Sequence, residues 1–130
     1  MQPFFGLEVP FLALLGVQSQ LWGKGHTTLM LEPRPELTNH FGDVHGGVVT
    51  TLLDIAMSSA ARSLYPDAAG VVTMDMSLQF MRSARGTLHA EGRVVQGGKS
   101  TAFCEAELRD AAGERIAKAI GTFKVRVAQR

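Results

Sequence analysis

The residues able to do chemistry gather in one stretch, Asn39 to Arg62, NHFGDVHGGVVTTLLDIAMSSAAR. Asp54 is the only charge between Gly46 and Ala61, set among Val48, Val49, Leu52, Leu53, Ile55, Ala56 and Met57. A carboxylate in such apolar company needs a partner, a neutralising proton or a task. The tasks open to it are nucleophilic attack and general-base activation of water. Gly46 and Gly47 stand where a helix begins, so its first N–H groups carry no side chains in front of them. Free amides at a helix N-terminus bear partial positive charge and can hold a developing oxyanion.

The element that must position these groups is a helix over Gly46–Ala61, roughly 24 Å long, too short to span a bilayer but long enough to cross a small domain. Its apolar content predicts burial. Gly47, Thr50, Thr51, Asp54, Ser58 and Ala61 form a small or polar stripe at helical spacing. Gly46 and Asp54 lie about 12 Å apart on such a helix, whereas reacting atoms must approach to about 3.5 Å. One helix therefore does not complete the site. Two antiparallel copies do, with the glycine end of one beside the aspartate of the other, which predicts a two-fold dimer with shared sites.

Plainer readings stand beside these. Asp54 also suits a buried, hydrogen-bonded interface residue, and Gly46-Gly47 a tight start to a helix. His45 suits a hydrogen-bonding residue at that start better than a catalytic base. His40, Asp43 and His45 are metal-ligand types, but their spacing suits no standard site, and no metal is expected. Cys104 alternates with Ala102 and Ala106 and reads as a packed core thiol; Met74 and Met76 read as core. Lys124, Arg126 and Arg130 read as a solvated tail.

At 130 residues, with 45% hydrophobic and 19% charged residues, the chain is expected to form a single domain, 1–130, with a real core. A net charge of +1 gives no electrostatic case for nucleic acid or an anionic membrane. One cysteine excludes an internal disulfide and fits a reducing cytoplasm. The apolar run PFFGLEVPFLALLGV is interrupted by Glu8 and Pro10 and lacks a basic leader, so neither a signal peptide nor a membrane span is expected.

Along the chain, Pro10–Leu15 reads as a short helix stopped by Gly16, covering an open end of the core. Leu21–Leu31 reads as one strand, ended by Pro33 and Pro35, and 35–43 as a loop. After the central helix, Pro66-Asp67 with Gly70 marks a turn. The period then changes to two: Val72, Met74, Met76, Leu78 and Phe80 alternate with Thr73, Asp75, Ser77 and Gln79, a half-buried strand. Arg82–Gly86 reads as a basic turn, 87–96 as a strand, and Gly97-Gly98 as a hairpin signal of the primed-turn kind. Strands over 100–109 and 114–127, joined by Asp110–Gly113, complete a four-stranded meander. The pattern is α+β, with the long helix buried against an antiparallel sheet.

Asn39, His45-Gly46-Gly47 and Asp54, in the pattern N-x5-HGG-x6-D, resemble the signature of hotdog-fold acyl-CoA thioesterases. The resemblance is greatest to the phenylacetic acid degradation type and extends to 4-hydroxybenzoyl-CoA thioesterases. It takes in LLG near the start, VVTMDMSLQFMRSARG, GGKSTAFCEAEL and the final GTFKVRV. It implies a five- or six-stranded antiparallel sheet wrapped round the helix, with protomers paired and usually joined as a dimer of dimers. It implies hydrolysis of an aryl- or medium-chain acyl-CoA, coenzyme A being part of the substrate and no cofactor being needed. In that scheme the Gly46 amide polarises the thioester carbonyl, with Gly47 beside it. Asp54 of the partner protomer is nucleophile or general base, and Asn39 positions thioester or water. Thr73 matches a water-orienting hydroxyl, although alternation turns it away from the core-facing Val72 and Met74. Arg82, Arg85, Lys99 and Ser100 fall in turns where such proteins contact coenzyme A, and their chemistry suits its phosphates, as it also suits exposed surface. A rival function is a catalytically idle acyl-CoA-binding or scaffold protein.

Overall fold

The computed structural model describes residues 3–127. The elements run α1 (Pro10–Leu15), β1 (Gln18–Gly23), β2 (His26–Leu31), a 3-10 turn (Pro35–Leu37), α2 (Gly46–Arg62), β3 (Gly70–Phe80), β4 (Leu88–Gly97), β5 (Thr101–Asp110) and β6 (Arg115–Arg126). The strands form one six-stranded sheet in the order β1-β2-β4-β5-β6-β3, antiparallel throughout. Its inner face wraps α2, which is the α+β architecture expected.

Local preference alone does not make α2. Its first turns contain Val48, Val49, Thr50 and Thr51, β-branched residues that lose side-chain freedom in a helix. Tertiary burial of Val49, Leu52, Leu53, Ala56, Met57 and Ala60 against the sheet supplies what propensity withholds. The contact is unusually close at Gly92 on β4, where an added Cβ would lie 2.2 Å from the Ala56 carbonyl oxygen. The small residue lets helix backbone rest on strand backbone. Cys104 is buried among the core residues of β5, and burial pushes its thiol up to about 12.

Five expectations are corrected. Leu21–Leu31 is a hairpin rather than one strand: Lys24 and Gly25, at φ 53 and 74, make a two-residue turn between β1 and β2. The last four strands are not a simple meander. Only β4-β5-β6 run consecutively, while β3 pairs with β6 at the far edge, so Arg82–Gly86 belongs to a crossover from one part of the sheet to another. The Gly97-Gly98 hairpin forms, but neither glycine takes left-handed backbone, so it is not a primed turn on those residues.

The fourth correction concerns β3. Thr73 pairs with Phe123 and Asp75 with Thr122, leaving Met74 as the extra residue of a bulge. One unpaired residue reverses which side chains face inward. Val71 and Thr73 point to α2 before the bulge, and Met76 and Leu78 after it. Val72 and Met74, expected in the core, are exposed, Met74 by 59%. At the C-terminal end, Lys124 and Arg126 are exposed residues of β6 rather than a tail, and Arg130 lies outside the described residues. No helix among the described residues is long and apolar enough to cross a membrane.

Two substitutions test this packing with opposite signs. Gly92→Ala drives a methyl into helix backbone and is expected to cost about 2–3 kcal/mol. Thr27 is fully buried, with no partner for its hydroxyl among the described residues. Thr27→Val removes that stranded group and is expected to stabilise by about 1 kcal/mol. Urea midpoints at unchanged slope measure both.

Candidate active site

The face of α2 turned away from the sheet carries Gly47, Thr51, Asp54 and Ser58, all at least partly exposed. Most of its hydroxyls are satisfied locally. Thr50 and Thr51 donate back to Gly46 O and Gly47 O, at 2.8 and 2.9 Å. Asp54 instead has a tertiary partner: the Thr73 hydroxyl donates to its Oδ1 at 2.7 Å. The β3 bulge makes this contact by turning Thr73 inward, against the alternation read from sequence. Burial raises the Asp54 pKa above the ordinary carboxylate value, and the Thr73 hydrogen bond pulls in the opposite direction by favouring the charged form. The result is a half-buried acid, oriented on one side and open on the other.

The start of α2 is clamped from both flanks. The Val44 N–H donates to Ala84 O in the crossover at 2.9 Å, and the His45 N–H donates to Leu37 O at 2.8 Å. His45 is the N-cap: its Nδ1 accepts from the Gly47 N–H at 2.8 Å, while its carbonyl receives Val48 and Val49. The Gly47 amide, expected to meet substrate, is thus already engaged, and Gly47 makes room for the imidazole, since a Cβ there would lie 3.1 Å from His45 Nδ1. The Gly46 N–H has no protein acceptor among the described residues. A Cβ on Gly46 would make only ordinary contact with Phe80, at 3.7 Å, and the residue is not left-handed. Neither packing nor backbone within the described residues asks for glycine there.

The Asn39 side chain folds its own loop, with Oδ1 accepting from Phe41 N at 3.0 Å and Asp43 N at 3.1 Å. Its amide nitrogen is left for other partners. Asp43 holds Arg85 as an ion pair across to the crossover, a contact between two loops that no periodicity in the sequence signals. Arg82 lies 3.7 Å from Glu114. Lys99 and Ser100 are exposed at the other end of β4. Ten residues of strand separate the two groups by about 33 Å, so one chain does not bring all four together. Among the described residues no three His, Cys, Asp or Glu side chains are grouped as metal ligands; of the candidates, Asp43 and His45 are engaged as above. A 450 Å³ groove on the outer face of the sheet pairs Glu91, Glu105 and Glu107 with Arg93, Arg115 and Lys118, far from α2 and close to neutral.

A bare helix-terminal amide and a seated carboxylate are the parts that acyl transfer with water requires. Known proteins agree at the level of family. A protein of Halobacterium salinarum to which an esterase activity is ascribed is 37% identical, over 88% of this chain and 83% of its own length. A Streptococcus mutans protein solved bound to acetyl CoA superposes with a TM-score of 0.79 at 26% identity, covering 88% of this chain and 91% of that one. The E. coli PaaI protein from the phenylacetic acid degradation operon superposes at 0.85, covering 93% and 86%, but at 21% identity that likeness shows the fold alone. The fold is the hotdog fold of these neighbours. Residues 41–117, more than half of the sequence and the part that contains Gly46, Asp54 and Thr73, match the thioesterase superfamily, and the chain belongs to that family.

Proposed function

We propose that this protein is an acyl-CoA thioesterase, acting on an aryl- or medium-chain acyl-CoA without a cofactor of its own. The observation that carries the reading is one helix presenting both a half-buried carboxylate, seated by Thr73, and an amide at Gly46 that no described residue claims. The Gly46 N–H receives the thioester carbonyl oxygen and stabilises the negative charge that grows on it. As general base, Asp54 takes a proton from water while that water attacks the carbonyl carbon. It returns the proton to the sulfur as the carbon–sulfur bond breaks and coenzyme A leaves as the thiol. As nucleophile, Asp54 attacks the carbon itself, and coenzyme A leaves as a thiolate that takes a proton from solvent. Water then hydrolyses the acyl–aspartyl anhydride to free acid and carboxylate. Asn39 presents its amide N–H to thioester or water, and His45 acts by holding the start of α2.

Because α2 is rigid, its own Gly46 and Asp54 remain about 12 Å apart, and each site needs a second copy of the chain. The outer edge of β3 favours this arrangement. It is eleven residues long and exposes Val72, Met74 and Phe80, and an open apolar strand edge is a template for pairing. Setting Gly46 of one copy beside Asp54 of the other places the two-fold axis at Thr50. The Arg82–Arg85 crossover of one chain and the Lys99–Ser100 turn of the other then lie on the same side of the site. Coenzyme A phosphates are held by both chains, Arg82 and Arg85 from one and Lys99 with Ser100 from its partner. The free Cys104 suits a reducing, cytoplasmic setting.

Release of free thiol from a panel of acyl-CoA esters tests the reading and ranks the acyl groups. Binding of the panel without turnover would return the protein to an idle acyl-CoA binder. Asp54→Asn is expected to lower kcat at least about a hundredfold. The pKa of Asp54 is raised in the fold, so its contribution to stability is present at low pH and lost as pH rises through that value. Asp54→Asn is therefore expected to melt no lower than wild type at neutral pH.

The pH profile supplies a separate check. With a carboxylate as the active form, kcat/KM falls on the acid side. Thr73→Val removes a bond that favours the charged form, so the acid limb is expected to move to higher pH. A limb that stays in place or moves to lower pH removes Asp54 from the role.

A mixed dimer tests the sharing of sites. Gly46→Val blocks the oxyanion position and Asp54→Asn removes the carboxylate, so each variant alone is expected to be nearly inactive. In a mixed pair one site receives both intact groups and the other receives both lesions. Refolding an equal mixture with random pairing is expected to restore about a quarter of wild-type activity, by the two-fold symmetry. No recovery in proven heterodimers places the site within one chain.

A further inference from the structure

The turn between β4 and β5 carries a glycine pair that its backbone does not demand, since neither Gly97 nor Gly98 is left-handed. What the glycines supply is room. A Cβ on Gly97 would lie 3.1 Å from Leu64 Cδ1 and 3.5 Å from the Tyr65 hydroxyl, and one on Gly98 would lie 3.2 Å from Thr101 O. Into this room comes Tyr65, from the segment that follows α2. Its hydroxyl donates to Gly98 O at 2.7 Å and lies 3.4 Å from Thr101 O. The remaining ties of the turn, Gly98 N–H to Thr101 O and Val125 N–H to Ser100 O, run within the sheet. The phenol therefore fixes the turn relative to the end of α2. A solvent-exposed hydrogen bond of this kind adds little to stability, so its main consequence is geometric.

That geometry bears on the paired arrangement proposed above, on which the inference rests. Tyr65 lies just past Arg62, where α2 ends, whereas the Arg82–Arg85 crossover is tied through Ala84 O to the Val44 N–H, just before its start. With Asp54 beside the Gly46 of a second copy, the end of one α2 lies beside the start of the other. The turn held by Tyr65, with Lys99 in it, therefore lies at the same end of the pair as the second copy's Arg82–Arg85 crossover. A lysine ammonium there meets an anionic group as a point charge. We infer that Tyr65 is a positioning residue for substrate, holding the β4–β5 turn so that Lys99 stands at the phosphate end of coenzyme A.

The test compares Tyr65→Phe, Lys99→Ala and the double variant on an acyl-CoA and on the matching acyl-pantetheine, which lacks the nucleotide phosphates. Calorimetric titration with coenzyme A runs alongside. Tyr65→Phe is expected to weaken coenzyme A binding and raise KM for the CoA ester about three- to fivefold, the loss of one neutral hydrogen bond. Its kcat, its KM for the pantetheine ester and its melting temperature are expected to stay as in wild type. In the Lys99→Ala background Tyr65→Phe is expected to add nothing. An equal change for both esters, a fall in kcat, unchanged coenzyme A affinity, or effects that multiply with Lys99→Ala would each overturn the inference. Wild-type binding of coenzyme A without hydrolysis of any ester defeats the enzymatic reading alone, because the titrations still judge Tyr65. A wild-type chain that does not bind coenzyme A overturns both.

Discussion

Helix α2 rests on the sheet at backbone distance, and the rest of the structure follows from that contact. Gly92 has no side chain, so the Ala56 carbonyl settles directly over β4. Ala60 and Ala61 continue the small surface toward the end of the helix, while Leu52, Leu53 and Met57 fill the space to either side. A helix seated this low is wrapped on one side by strands and left bare on the other. The bare side is where Asp54 stands, so the packing that builds the core also creates the opening.

The opening sets stability against function. Asp54 is the one acid on the helix, and partial burial works against its charged form. An asparagine would accept the Thr73 hydrogen bond without that conflict. Retaining a carboxylate in an unfavourable place is a mark of residues kept for chemistry rather than for folding. The hydroxyls of Thr50 and Thr51, by contrast, turn back on their own helix and carry no such tension. A small polar stripe thus contains one carboxylate held across the fold by Thr73 and hydroxyls satisfied within their own helix, a distinction that hydrogen-bond partners make and residue types do not.

Both ends of the candidate chemistry depend on irregular structure. The β3 bulge brings Thr73 to Asp54, and a regular strand would have sent Met74 inward instead. The clamp from Leu37 and Ala84 holds the start of α2 in place, while His45 caps it and leaves the Gly46 amide without an acceptor among the described residues. Regular elements provide the rigid distance between Gly46 and Asp54; the bulge, the cap and the crossover decide what each of them meets.

The sequence by itself determined the long helix, its start at Gly46, the position of Asp54, the α+β class and the Cys104 core site, because each follows from local periodicity or from the chemistry of a single residue. It also carried the argument that one helix cannot join Gly46 to Asp54, which needs only the helical rise. Only the tertiary structure decided that β3 lies beside β6, because strand order depends on which hydrophobic faces meet across long separations. The same holds for the inward turn of Thr73, since a bulge is set by the partner strand's register and leaves no mark in an alternating sequence. The Lys24-Gly25 turn had a glycine signal, but it lay inside a run of strand-like residues that hid it. Residue types alone did not say which of the Gly46 and Gly47 amides the fold leaves open: identical residues became distinct only when the His45 ring took the Gly47 amide.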